Sequence, residues 1–312
     1  MRSLLFIIPL AVTVLSCKSE KKQHGPNDKK YQLGLHIGNE DTIKYYYTIS
    51  NNTQTILEVD GRKIENSNTT DVGLLYTIVK DSIGNTALTI VYDSIHVHGN
   101  MNNVEKDLDA ANADNSIDPI EKMLGKIKGA RLFVIMAPSG KILSIKGYDD
   151  IKANILQGLT FKDSYTQNTL QQQLSKLIGE GFVKSNLEQT INLLPDSTVY
   201  VGDTWKSSTS QAGDISMKML NQFTVESIDD DFVKISVVSK ILSDSSKSSK
   251  VMGYDITPNL KGNQIEYLVI NKLTGLVINS TINSTIEGNV QAMGREIPIT
   301  IITKKTLVQK KI

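Results

Sequence analysis

Apolar and polar residues alternate along much of the chain. Ile43, Tyr45, Tyr47 and Ile49 fall on one side of an extended segment, with Lys44, Tyr46 and Thr48 on the other. The same period of two runs through Ile215, Met217, Met219, Phe223 and Val225, opposed by Ser216, Lys218 and Gln222, and again through Val233, Ile235 and Val237. Such alternation predicts antiparallel strands with one buried and one solvated face. Turn signals separate them at Asp60-Gly61, Ser82-Ile83-Gly84-Asn85, Asp229-Asp230-Asp231 and Thr274-Gly275.

Helical spacing is confined to two places. Asp118-Pro119-Ile120-Glu121 is a helix start: an Asp cap, Pro at the first position and an acid in the first turn. Ile120, Met123, Leu124 and Ile127 follow at helical intervals, and Gly129 suits the stop. A second helical region is expected at about 149–195. Leu170, Leu174, Leu177 and Ile178 form its apolar face, Ser185 and Glu188 a capping box, and Pro195 its end.

The chain also repeats itself weakly. Glu40-Asp41-Thr42-Ile43-Lys44 is matched by Gly202-Asp203-Thr204-Trp205-Lys206. The hairpin from Arg131-Leu132-Phe133-Val134-Ile135 through Pro138-Ser139-Gly140 is matched by Gln264 to Ile270 and then Leu273-Thr274-Gly275-Leu276-Val277. The reading is a mainly β (α+β) fold of duplicated antiparallel sheets or half-barrels with a central helical segment. One β-rich domain is expected over 31–312, in two related halves (about 31–148 and 196–312) joined by the helical stretch 149–195.

The N-terminus is of another kind. Arg2 precedes an apolar run from Leu4 to Leu15, about a dozen residues where a spanning helix needs about twenty. Residues 1–16 therefore read as a signal peptide. Val14-Leu15-Ser16-Cys17 resembles the bacterial lipobox, which implies an acyl (palmitate-type) anchor on Cys17. Each buried CH2 of such an anchor contributes roughly 0.8 kcal/mol. Cys17 is the only cysteine, so no disulfide or thiolate metal site is expected in the mature domain. Lys18 to Lys30 is polar and mildly basic with a Gly-Pro break, and reads as a tether about 20 Å from end to end.

With the lipobox in place, the Asp-Thr strand starts, Leu194-Pro195 followed by Val201-Gly202-Asp203-Thr204-Trp205, and the late Thr274-Gly275-Leu276-Val277 hairpin resemble a Bacteroidota lipoprotein family. That family is domain of unknown function 6263. The resemblance covers nearly the whole mature chain and implies no activity, so it brings no catalytic residues. It implies the cell envelope, with the outer membrane's periplasmic face ahead of surface display, because the tether is mixed and basic where surface-exported Bacteroidota lipoproteins often carry an acidic run. A looser architectural similarity is to half-barrel lipoprotein carriers.

Charge and chemistry narrow the rest. The formal net charge is +1 and no basic stripe with interleaved aromatics appears, so nucleic acid is not an implied partner. His96 and His98 share a strand face with Asp93 nearby; they are weak metal candidates without an identifiable third ligand. Asp107, Asp109, Asn112, Asp114, Asn115 and Asp118 are oxygen-rich but out of register with a calcium loop. Asp41-Thr42-Ile43, Asp81-Ser82-Ile83, Asp93-Ser94-Ile95 and Asp196-Ser197-Thr198 look like Bacteroidota O-glycosylation sequons, which marks Thr42, Ser82, Ser94 and Ser197. No nucleophile elbow or phosphate loop is present, no cofactor is implied, and an enzyme is the least supported class. Two classes stand ahead of it: a module binding a lipid or other apolar ligand in a curved sheet, and a structural or protein-interaction lipoprotein without a cavity. The helices discriminate between these two. If Leu170, Leu174 and Leu177 only plug the sheet, a ligand has no room there.

Overall fold

The computed structural model describes residues 25, 28–38, 42–80, 84–101, 104–137, 141–157, single positions between 171 and 187, 198–211, 215–244, 249–251 and 254–312. The molecule is mainly β, built on one large, unclosed antiparallel sheet with few helices.

The first half of the chain is a meander. It runs β1 (Lys30–Gln32), β2 (Thr42–Val59), β3 (Arg62–Lys80), β4 (Thr86–Met101), β5 (Val104–Asp109), β6 (Arg131–Met136) and β7 (Ile142–Lys146). The second half is another: β8 (Thr198–Tyr200), β9 (Thr204–Gln211), β10 (Met217–Ile228), β11 (Phe232–Ser243), β12 (Ser249–Val251), β13 (Tyr254–Asn271), β14 (Val277–Ala292) and β15 (Arg295–Lys311). Spatial order is β7-β6-β4-β3-β2-β15-β14-β13-β11-β10-β9, with β5 on β4, β12 on β13, and β1 paired apart with β8. The sheets of the two halves are joined edge to edge where β15 pairs β2, so the layer is continuous.

The helices lie where the sequence signals put them. Helix α1 is Pro119–Ile127, and the Asp118 side chain caps it by accepting from the Ile120 N–H at 2.8 Å. Helix α2 is Tyr148–Gln157. Gln171, Leu174, Ile178, Val183 and Leu187 are helical as well; Leu170, Leu177, Ser185, Glu188 and Pro195 lie outside the described residues.

Strand alternation fixes which face is inner. Tyr45, Tyr47, Leu74, Ile90, Phe223, Val237, Leu268 and Ile270 all pack into one apolar core with the helical Met123, Leu124, Ile127, Ile155, Leu174 and Ile178. Bulges in the pairings at Gly73/Leu74, Val225/Ser227 and Val269/Ile270 bend and twist the strands beside this core. The strands outrun it. β3 has 19 residues, about 60 Å at 3.3 Å per residue. On the far stretch of the inner face a second, separate cluster forms from Met217, Met219, Ile241, Ile256, Leu260, Ile286 and Val290. At that end, both long hairpins close through two-residue turns with positive φ at each position, Asp60 (50°) and Gly61 (74°), then Met293 (51°) and Gly294 (75°). That is the twist-matched turn a hairpin prefers. Arg295 Nη1 meets Asp60 Oδ2 at 3.2 Å and ties the two tips together.

A row of polar side chains separates the clusters. Ser207, Asn221, Ser239, Gln264, Ser284, Thr303, Thr53 and Asn68 stand opposite one another in turn across eight strands. The Asn221 amide donates to Ser207 Oγ at 3.2 Å and Thr209 Oγ1 at 3.1 Å.

Trp205 stacks on fully buried Phe223 with ring centroids 4.9 Å apart and planes at 4°. Phe223→Ala is expected to cost about 3–5 kcal/mol and to red-shift the emission of Trp205, the only tryptophan. Urea unfolding read at Trp205 checks both; an unchanged midpoint would contradict the packing described.

Candidate functional site

Three groups of residues carry chemistry or surface character. The first comprises His96 and His98, which face solvent on the outer face as their alternation with Ile95 and Val97 requires. Asp93 does not join them: it accepts from the Tyr46 hydroxyl at 3.0 Å. The carboxylate that does is Asp107 on β5, directly opposite His98 in the pairing. Its Oδ1 lies 2.6 Å from His96 Nε2 and 3.7 Å from His98 Nδ1, while Asp71 Oδ2 lies 3.9 Å from His96 Nδ1. The sequence concealed Asp107 because only the β4–β5 register brings it there. Among the described residues no group of three or more His, Cys, Asp or Glu has metal-holding geometry.

The oxygen-rich segment serves helix termini. Asp109 accepts from the Ala111 N–H at 2.8 Å to cap a 3-10 turn, and Glu121 accepts from the Asp109 N–H at 2.9 Å. Lys106 Nζ meets Asp118 Oδ2 at 2.8 Å. Partial burial works to raise the Asp118 pKa; the hydrogen bonds from Lys106 and the Ile120 N–H outweigh it and hold the carboxyl below its ordinary value.

The second group is on the inner face, beside the polar row. Glu266 is buried and accepts from Ser280 Oγ at 2.9 Å. Desolvation pushes its pKa up to about 7, against the Ser280 hydrogen bond and the charge of Lys305 two strands away. Lys305 is lowered by the same desolvation, opposed by Glu266. Sequence reading missed both. Glu266 shares its strand phase with Gln264 while Ile265, Tyr267 and Val269 fill the other, so spacing alone pointed this acid outward.

The third group is the outer face of β10, β11 and β13, where Leu220, Val238, Leu242, Ile265 and Tyr267 are exposed. A shallow depression of about 400 Å³ opens beside them, lined by Asn263, Ile265, Asn283, Ile302 and Lys304. A second of about 370 Å³ lies between α1, β6 and α2, where Lys126, Lys128, Arg131 and Asp150 meet Ala130, Phe133 and Ile151.

Of the marked hydroxyls, Thr42 is exposed at the start of β2 and Ser94 is exposed at the β4 bulge. Ser82, Ser197 and Cys17 lie outside the described residues. No described helix is long and apolar enough to cross a membrane.

The model of a family of unknown function, DUF6263, matches residues 83–277. The chain belongs to that family. The DUF6263 match runs from just before β4 through the helices to the first residue of β14. No curated protein matches the chain. Among solved structures, lipovitellin, described for its lipid–protein interactions, aligns over 85% of this chain at 10% identity and a TM-score of 0.43. This chain spans 25% of that one. An outer membrane channel from Pseudomonas putida F1 aligns over 92% of this chain and 100% of its own, at 8% identity and a TM-score of 0.23.

A buried acid with a raised pKa binds its proton more tightly folded than unfolded. Stability is therefore expected to fall as pH rises from about 4.5 to about 7, by on the order of 3 kcal/mol from Glu266 alone. Glu266→Gln keeps an acceptor for Ser280 and should remove that slope. Urea midpoints across this window, wild type against variant, check it; parallel curves would mean Glu266 stays ionised in the fold.

Proposed function

We propose that this DUF6263 chain is a lipoprotein of the cell envelope that works through the surfaces of its sheet, as a structural or protein-interaction component. In this reading residues 1–16 export it and Cys17 carries the acyl anchor. Residues 17–30 span the gap to a single domain over 31–312, whose two halves are related. The location is the periplasmic face of the outer membrane. The observation that carries the surface reading is the filled core end of the inner face. Met123, Leu124, Ile127 and Ile178 are fully buried against the sheet, and Ile155 and Leu174 are 1% exposed. A plugged sheet offers its partners faces and edges.

A second reading has its own observation. Beyond the polar row the inner face stays apolar, and Ile299 and Ile301 there are only partly buried against the Met217–Met219 cluster. That wall would suit a lipid or other apolar ligand. Thr42 and Ser94, both exposed, are the described positions we expect to carry O-linked sugar.

The anchor is tested in the native host by labelled palmitate and detergent-phase partition. Wild type should take label and enter the detergent phase, and Cys17→Ser should do neither. Equal labelling of both would end the lipoprotein reading. Native mass spectrometry then separates the two functional readings: a bare mass after incubation with lipid extract supports surface action, and an extractable apolar adduct supports the carrier.

A further inference from the structure

The outer face of β9 to β15 combines exposed apolar side chains with unneutralised positive charge. Val238 and Ile265 stand directly opposite each other, 55% and 45% exposed, and Tyr267 two residues along is 57% exposed. Lysines surround them on the same face. Lys240 pairs across to Leu220, Lys218 and Lys261 flank Leu242, and Lys206 and Lys304 close the row through Gln222 and Asn283. All five lysines are exposed, and none forms an ion pair among the described residues. Two carboxylates stand among them, Glu287 opposite Lys261 and Glu226, which accepts from Ser236 directly opposite Tyr267; Asp255 and Glu296 lie farther along the same face. Around Val238 and Ile265 the five lysines outnumber these two nearest carboxylates. The outer face of β3 to β5 bears the carboxylates of Asp71 and Asp107 instead.

The point where the N-terminal segment joins the domain lies on these same strands. Tyr31 donates its hydroxyl to the Lys272 carbonyl at 3.0 Å, the His36 N–H donates to Thr274 O at 3.0 Å, and Lys29 meets Asp230 at 3.6 Å. The segment therefore enters at the β10–β11 and β13–β14 turns. From Asn271 to Ile265 is about 20 Å along β13, close to the reach of the thirteen-residue stretch before it.

We propose that this face docks on an anionic phospholipid surface. Lysine ammonium groups lie among headgroup phosphates, and Tyr267, Val238, Ile265, Leu220 and Leu242 reach the interface below. Neighbouring lysines are separated by aliphatic side chains on an open sheet, and no rigid groove gathers them. A fluid headgroup layer can rearrange to meet each one, whereas a folded acidic partner would need a matching array. The depression between Ile265 and Lys304 is large enough for one headgroup. The docking itself stands apart from the acyl anchor; the anchor only supplies its setting.

The test uses the full chain carrying Cys17→Ser, so that failure of the anchor reading leaves it intact. Co-sedimentation is measured with phosphatidylcholine vesicles and with vesicles containing phosphatidylglycerol. Binding should rise with phosphatidylglycerol and fall with salt. Lys218→Glu/Lys240→Glu/Lys261→Glu should weaken it at least about tenfold, while the matching Lys→Arg set retains it. Val238→Asn/Ile265→Asn should weaken it without changing the salt dependence. Circular dichroism and Trp205 emission verify that each variant is folded. Binding independent of phosphatidylglycerol, or unchanged in the charge-reversed protein, would overturn the proposal. So would capture by polyglutamate without vesicle binding, which would indicate an acidic protein partner.

Discussion

The structure depends on the pairing of β2 with β15. The ladder runs from Leu57 opposite Ile299 to Tyr45 opposite Lys311, and so joins the first long strand of the domain to the last. Tyr47 pins the junction from inside. Its buried hydroxyl donates to the Val277 carbonyl at 3.4 Å and accepts from Gln309 Nε2 at 2.8 Å. Contacts at a sequence separation of 262 are entropically expensive to form. What they return is continuity. Without them two meanders would each expose a long strand edge, which favours wrong pairing. With them, one inner face spans both halves and a single set of helices can cover its core end.

Continuity raises the question of register, and the polar row across the inner face answers part of it. A slip of one residue between strands would exchange the inner and outer faces, which apolar burial forbids. A slip of two residues preserves the faces and is harder to exclude. Here it would push Asn221, Gln264 or Asn68 out of line and toward one of the two apolar clusters, leaving amides without partners. Buried Glu266 with its Ser280 hydrogen bond sits one step from the row and sharpens the same discrimination. The cost is the desolvation that raises the Glu266 pKa, and the same group makes the molecule sensitive to pH near neutrality.

This row also explains what the sequence concealed. Alternation was plain at Ile43 to Ile49, Met217 to Val225 and Val233 to Val237, where the inner face is apolar, and the Asp118-Pro119 start located α1 correctly. It faded at Asn51, Thr53 and Thr55 and at Asn66, Asn68 and Thr70, where the inner face turns polar. Strands of 18 and 19 residues therefore read as shorter segments. The local hairpin at Asp60-Gly61 was legible because its turn chemistry is local. The β2–β15 ladder was not, because nothing near Tyr47 announces Gln309. Site residues divide in the same way. The shared face of His96 and His98 followed from spacing, while Asp107, the Glu266–Lys305 pair and the lysine-rich face emerge only once strands are laid side by side.

The two faces of the sheet answer to different constraints. Inside, each position is held by packing, and Phe223, Leu268 and Ile270 have no freedom to vary in size without cost. Outside, stability asks only for strand formers that tolerate water, and the outer residues of the first half comply with Asn52, Thr69 and Asp71. Val238, Ile265 and Tyr267 do more than that rule requires. They leave adjacent aliphatic and aromatic surface in water on strands whose neighbours at the same level are polar. Folding does not need these side chains exposed, since each could be threonine and keep the ladder intact. Their concentration on β11 and β13, among lysines free of ion pairs, points to a demand that originates outside the fold. The helices that plug the core end of the inner face direct attention to that same surface.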